Sequence, residues 1–166
     1  GGIYKDLGEL DQALASTLKS LKLKFDNPTA HMNLGGIYKD LGELDQALAS
    51  TLKSLELKSD NPDALMNLGG IYTSNRNLDK ALIFTLKSLE LKPNNADAYL
   101  NLALIYKDLN KLDKSLFSTY KALEIDPANP KALCNCGTIY ISNGEHIAGI
   151  KYLEKSLACD PTDENT

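Results

Sequence analysis

The sequence predicts an all-α solenoid of tandem antiparallel helix pairs, on three observations. Residues 1–34 and 35–68 are the same apart from Lys22/Glu56, Phe25/Ser59, Thr29/Asp63 and His31/Leu65. The same 34-residue frame continues, with more drift, through residues 69–102, 103–136 and 137 onward. Each unit also holds two stretches with apolar residues at three- and four-residue spacing, which is the period of an amphipathic helix. A fixed period of this length marks stacked helix pairs, because one pair cannot bury its own apolar face.

The first helix of each unit starts at a recurrent signal: Asp26-Asn27-Pro28, Asp60-Asn61-Pro62, Asn94-Asn95-Ala96 and Ala128-Asn129-Pro130. Asn at the N-cap accepts a bond from an orphan amide, and Pro at the first helical position has no N–H to leave unpaired. In the unit from Pro28 the helix is expected to run to about Leu41, with Ala30, Leu34, Ile37, Tyr38 and Leu41 on one face. Gly42 is its stop, and Gly8 and Gly144 are expected to stop theirs. The second helix begins near Leu44, carries Ala47, Leu48, Leu52 and Leu55, and ends around Lys58. Pro93, Pro127 and Pro161 follow it in later copies, where proline cannot continue a helix. A turn of about three residues forces the two helices antiparallel. The chain thus reads as one array: a partial repeat over 1–27, repeats over 28–61, 62–95, 96–129 and 130–163, and a tail over 164–166.

Composition narrows the function classes. With 43% hydrophobic and 24% charged residues the chain is foldable, and no apolar run approaches the ~20 residues of a membrane span. A formal charge of −4 argues against a nucleic-acid surface, which needs clustered Lys and Arg. Cys134, Cys136 and Cys159, with no export signal, read as reduced thiols in a cytoplasmic protein. On a helix, residues two apart point about 200° from each other, so Cys134 and Cys136 read as helix fillers and no metal or other cofactor is expected. His31 and His146 have no shared acid or nucleophile in the pattern, and the chain reads as non-catalytic.

Leu34, Gly35, Tyr38, Ala47 and Ser54, with their counterparts Leu68, Gly69, Tyr72, Ala81, Ser88 and Pro93 one unit on, resemble the tetratricopeptide repeat family. The fourth copy supplies Leu102, Ala103, Tyr106, Ser115, Ala122 and Pro127, and the fifth Leu133, Cys136, Gly137, Tyr140, Gly149 and Ser156. Counted from Pro28 as position 1, the family pattern places a bulky residue at position 24. Here that position holds Thr17, Thr51, Thr85 and Thr119, with the large side chain one residue later at Leu18, Leu52, Leu86 and Tyr120. One residue is about 100° of helix rotation, so the stacking contacts are expected to depart from the usual ones. The resemblance implies a right-handed superhelical solenoid whose first helices line a concave groove.

The packing set leaves one recurrent residue unexplained: Asn33, Asn67, Asn101 and Asn135, at position 6 of each unit. Asn is a poor interior helix residue, so its persistence in the drifted copies needs a reason. In the arrays of O-linked N-acetylglucosamine transferases, which these units resemble, an Asn ladder at this position holds the backbone of an extended peptide. A side-chain amide offers both a donor and an acceptor, which matches that task. The same amide serves equally to bond a neighbouring helix, and both roles stand open. By the same resemblance, Met32, Met66 and Leu100 at position 5 line the groove, with Lys39, Lys107, Asp40 and Asp108 at positions 12 and 13.

The expected function is a non-catalytic scaffold that binds an extended peptide of a protein partner, with no nucleic-acid or membrane partner. Two alternatives accompany it. The chain begins mid-helix and ends with no polar cap after Ile147, Ile150, Leu153 and Leu157, so its ends are expected to stack on other copies. It also fits the substrate-docking arm of a larger transferase.

Overall fold

The computed structural model describes residues 2–159, with residues 2–7 described as backbone only. All regular structure among them is α-helix, as the periodicity predicts. The chain divides into two compact units, residues 1–92 and 93–166. The first unit contains α1 (Gly2–Leu23), α2 (Pro28–Asp40), α3 (Leu44–Leu57), α4 (Pro62–Ser74) and α5 (Leu78–Leu91). The second contains α6 (Ala96–Asp108), α7 (Leu112–Ile125), α8 (Pro130–Ser142) and α9 (His146–Cys159). Pro161 and the 164–166 tail lie outside the described residues.

Every first helix starts where the Asn signal places it. The side-chain oxygens of Asn27, Asn61, Asn95 and Asn129 accept from the amides of Ala30, Ala64, Ala98 and Ala132 at 3.2, 3.3, 3.2 and 3.1 Å. The stops are equally regular. Gly42 and Gly144 take left-handed φ values of 80° and 83°, and Arg76 and Asn110 hold the same place at 59° and 57°. A non-glycine residue in that region costs about 1 kcal/mol. The closing bond offsets this cost: the amides of Glu43, Asn77, Lys111 and Glu145 reach back to the carbonyls of Tyr38, Tyr72, Tyr106 and Tyr140 at 2.8–2.9 Å.

Gly8 departs from this scheme. α1 runs unbroken through it, so Gly8 is an interior helix residue and not a stop. Only six residues precede it in the helix, less than two turns. Continuation of the helix keeps the carbonyls around Gly8 paired within it. The partial repeat is therefore one helix, whose Leu21 packs with Ala30 and Leu34 of α2, joined by Leu14 and Tyr38.

Within each pair the helices approach closely at positions 8, 20 and 24, where the displaced Thr finds its reason. Thr51, Thr85 and Thr119 are fully buried, while Leu52 and Leu86, one residue on, are 41% and 39% exposed. A Cβ added to Gly35 would lie 2.0 Å from the Thr51 hydroxyl, and one on Gly69 2.2 Å from that of Thr85. Gly at position 8 and Ala at position 20 thus go with a compact Thr. In the last pair Leu153 sits at position 24, and position 20 has shrunk to Gly149, where a Cβ would come 2.8 Å from the Gly137 carbonyl oxygen. In the fourth copy position 8 has grown to Ala103, and Ser115 at position 20 donates to its carbonyl at 2.8 Å. The residues at the crossing thus vary together, by shrinkage at position 20 in the last pair and by an added hydrogen bond in the fourth repeat.

A hydroxyl ties the far end of three of the four pairs, the fourth repeat having Ala122 at that position. Ser54, Ser88 and Ser156 donate to the carbonyls of Pro28, Pro62 and Pro130 at 2.8, 2.8 and 2.7 Å. These bonds join the end of the second helix to the start of the first, which fixes the antiparallel register.

The buried threonines differ in one respect. Thr51 and Thr119 bond the carbonyls of Ala47 and Ser115 at 2.7 and 2.9 Å, but the Thr85 hydroxyl has no partner among the described residues. A buried hydroxyl without a partner costs about 1–3 kcal/mol. Thr85→Val should therefore raise stability by roughly 1 kcal/mol in urea unfolding, whereas Thr51→Val should lower it by about as much.

Candidate functional site

The position-6 residues lie on the first helices, and each unit presents two of them. In the first unit Asn33 on α2 is exposed and Asn67 on α4 is half-buried. Asn67 Nδ2 donates to the carbonyl of Met32 at 3.2 Å, and it lies 3.6 Å from where a Gly36 side chain would begin. A Cβ at Gly36 would meet this amide in ordinary van der Waals contact. Met32 is held a second time by Asn61 Nδ2, 3.8 Å from its sulfur. Asn67 therefore stitches α4 to α2, while its side-chain oxygen has no donor among the described residues. Lys39 and Asp40 form a surface ion pair at 3.4 Å, worth well under ~1 kcal/mol.

In the second unit Asn101 on α6 and Asn135 on α8 are both half-buried. Leu100 is only 8% exposed and packs with Ala122 and Ala132, so it belongs to the core of this unit more than to any open surface. Lys107 is exposed and Asp108 half-buried on the last turn of α6. Met66, in the first unit, is half-buried like Met32. The groove set of the sequence reading is thus brought together pairwise: Met32 with Asn67, and Lys39 with Asp40.

The histidine at position 4 is a packing residue. His31 is buried, its Nε2 lies 2.9 Å from the Phe25 carbonyl oxygen, and its ring meets Phe25 edge-on at 5.6 Å. On α8, Cys134 is exposed and Cys136 fully buried, and burial pushes the Cys136 thiol up to about 11. It is a filler, inert as a nucleophile. No group of three metal-ligating side chains occurs among the described residues. No helix there is long and apolar enough to cross a membrane.

A second recurrent element escaped the sequence reading. The position-11 tyrosines Tyr72 and Tyr140 stack on the position-23 rings of Phe84 and Tyr152, with centroids 5.5 Å apart and planes 11° and 7° from parallel. Lys80 and Lys114 sit over Tyr72 and Tyr106 at 5.2 and 5.6 Å. The Tyr120 hydroxyl bonds that of Tyr140, and desolvation first, then hydrogen bonding to Tyr140 and Tyr152, pushes its ionisation well above the ordinary tyrosine range. This bond ties α7 to α8. The available signal was the residue at position 23, which alternates between Ser50, Phe84, Ser118 and Tyr152.

Tetratricopeptide repeat models match residues 28–61, 62–95 and 130–163, and a further one matches 96–129. Another model of this repeat matches residues 1–42. No curated protein matches the chain by sequence. Among solved structures, a crystal structure of MamA is 26% identical, with a TM-score of 0.72, and the match covers 95% of this chain and 92% of that one. A thermophilic TPR protein of Thermus thermophilus is 23% identical with a TM-score of 0.86, over 98% and 89% of the two chains. YrrB, a TPR protein with an unusual peptide-binding site, is 23% identical with a TM-score of 0.65, over 98% and 84%.

The two asparagines of the first unit should separate on mutation. Asn67→Ala removes the bond to Met32 and should cost about 1 kcal/mol in urea unfolding, whereas Asn33→Ala should stay within ~0.5 kcal/mol of the parent.

Proposed function

The chain belongs to the tetratricopeptide repeat family, whose arrays serve as protein-interaction scaffolds and are in general non-catalytic, and we propose that it binds an extended peptide segment along its first helices. The observation that carries this reading is the position-6 row. Asn33, Asn67, Asn101 and Asn135 recur in four successive repeats, and each keeps part of its surface open to solvent. Where the amide does bond within the chain, at Asn67, it uses a single N–H. The oxygen and the second N–H are the pair that an extended backbone needs opposite it. A row of such amides would serve as an Asn ladder, with Met32 and Met66 as adaptable apolar neighbours. An extended strand rises ~3.3 Å per residue and packed helices lie ~8–10 Å apart, so one rung would meet about every third peptide residue.

The test is selection of binders from a random twelve-residue peptide library, followed by titration against Asn101→Ala/Asn135→Ala. These two are chosen because neither side chain bonds another described residue, which leaves stability out of the comparison. Loss of two charge-neutral hydrogen bonds should weaken binding by roughly 5- to 150-fold with little change in melting temperature. Unchanged affinity in the double variant would exclude the ladder.

End-to-end stacking of copies is a second reading, favoured by α9. Ile147, Ile150 and Leu157 on this helix are 78%, 50% and 64% exposed, and cavities of 530 and 470 Å³ open along it. Static light scattering should then show mass rising with concentration, and Ile147→Lys/Leu157→Lys should return the chain to a monomer. A constant monomer mass at every concentration rules the stacking out.

A further inference from the structure

The repeats differ in what lies against the position-11 tyrosine. In the third and fifth repeats an aromatic ring does: Phe84 on Tyr72, and Tyr152 on Tyr140, each with centroids 5.5 Å apart. The fourth repeat has the same tyrosine, Tyr106, and the same lysine above it, Lys114 at 5.6 Å, matching Lys80 over Tyr72 at 5.2 Å. What it lacks is the ring. Position 23 is Ser118, whose hydroxyl turns back to the Lys114 carbonyl at 2.8 Å.

Ser118 itself is buried, and open space lies beside it, against Tyr106 and Phe117. A cavity of 330 Å³, mostly apolar but with the Asp113 carboxylate and the Lys114 ammonium in its lining, lies against Tyr99, Leu102, Tyr106, Phe117 and Ser118. This exceeds the ~150 Å³ in which an apolar cavity takes up benzene, and it falls in the usual range of ligand pockets. Phe117 at its rim is 63% exposed, with the Lys121 ammonium 5.7 Å from its ring. Ile83 at the same position of the third repeat is also exposed, at 51%, so it is the cavity beside Phe117, with Lys114 over Tyr106, that marks this repeat.

We propose that this cavity is a docking pocket for an aromatic side chain, phenylalanine or tyrosine, presented by a partner polypeptide. The chain itself supplies the precedent for the occupant, since polypeptide rings fill the equivalent place at Phe84 and Tyr152. The incoming ring stacks on Tyr106 as Phe84 stacks on Tyr72, and Lys114 keeps its place over the tyrosine. The walls of the pocket share no residue with the position-6 row, so the site stands or falls independently of the peptide ladder.

The experiment is a titration of the ¹⁵N-labelled chain with N-acetylphenylalaninamide, followed by amide resonances, with N-acetylalaninamide as the ringless control. Saturable shifts are expected at Tyr106, Lys114 and Phe117 with the aromatic probe and not with the control. Ser118→Phe installs the ring that the third repeat carries, and should weaken binding at least about tenfold, the change expected when the stacking face is occupied. If that variant is misfolded by circular dichroism, Phe117→Ala takes its place, with a weakening of about fivefold expected from loss of one aromatic wall. No saturable shift at these residues, equal shifts with the ringless control, or undiminished binding in the folded variant overturns the proposal.

Discussion

Close approach of the two helices in each repeat, at positions 8, 20 and 24, is the constraint from which the remaining features follow. Gly35 and Gly69 are not there for backbone freedom, since both lie inside helices, where glycine costs up to about 1 kcal/mol against alanine. They are there because a Cβ would overlap the hydroxyl of Thr51 or Thr85. That cost is tolerated since close-packed helices recover it in dispersion contacts along the crossing. Once the crossing is tight, the second helix is fixed in rotation, and only then can Ser54 and Ser88 reach the carbonyls of Pro28 and Pro62. Register of the pair, and so the direction in which the first helix presents Asn33 or Asn67, descends from this one contact.

The crossing also explains how the repeats drift without changing architecture. A larger residue at position 24 is matched by loss of a methyl at position 20, as Leu153 is by Gly149. A larger residue at position 8 is matched by a serine at position 20 that bonds across, as Ala103 is by Ser115. Substitution at any one of the three sites is therefore coupled to the other two, which is the condition under which single-site effects cease to add. The large side chains displaced to position 25 are left partly exposed at Leu52 and Leu86, and only Tyr120 turns its position into a polar contact, with Tyr140.

Much of this was legible in the sequence because it is local. The Asn-Pro starts, the turns at Gly42 and Gly144 and the apolar faces are decided within a few residues, and the helices begin where those residues say. Gly8 was misread for the same reason that Gly42 was read correctly. A glycine stops a helix only when the segment before it has somewhere to pack, and that is a tertiary condition. The role of Thr at position 24 was also hidden, because the anomaly was visible but its partner at position 8 lies 16 residues away in the chain. At the candidate site the recurrence of Asn at position 6 stood out, yet which amide bonds the next helix did not. Asn33 and Asn67 have the same sequence neighbours, Met-Asn-Leu-Gly-Gly, and differ in having or lacking a preceding first helix to settle on.

That last contrast bears on how a repeat acquires function. Identical residues at one position need not do identical work, because each repeat meets a different neighbour, so the row is better seen as a graded series than as equal rungs. Asn67 gives one N–H to the stacking of α4 on α2, which orients its side-chain oxygen at the expense of its freedom. An oriented acceptor loses less rotamer entropy when a ligand arrives, so the bond that looks purely structural also preorganises the group for recognition. Position 23 varies in the opposite sense. There the surroundings are alike, a tyrosine with a lysine over it at Tyr72 and Tyr106, while the residue alternates between a ring and a serine. Where the ring is present it stacks on the tyrosine, and where Ser118 stands instead a cavity lies beside Tyr106, Lys114 and Phe117. A repeat array can thus create a site by deletion, withholding one side chain from a place its other units have already shaped.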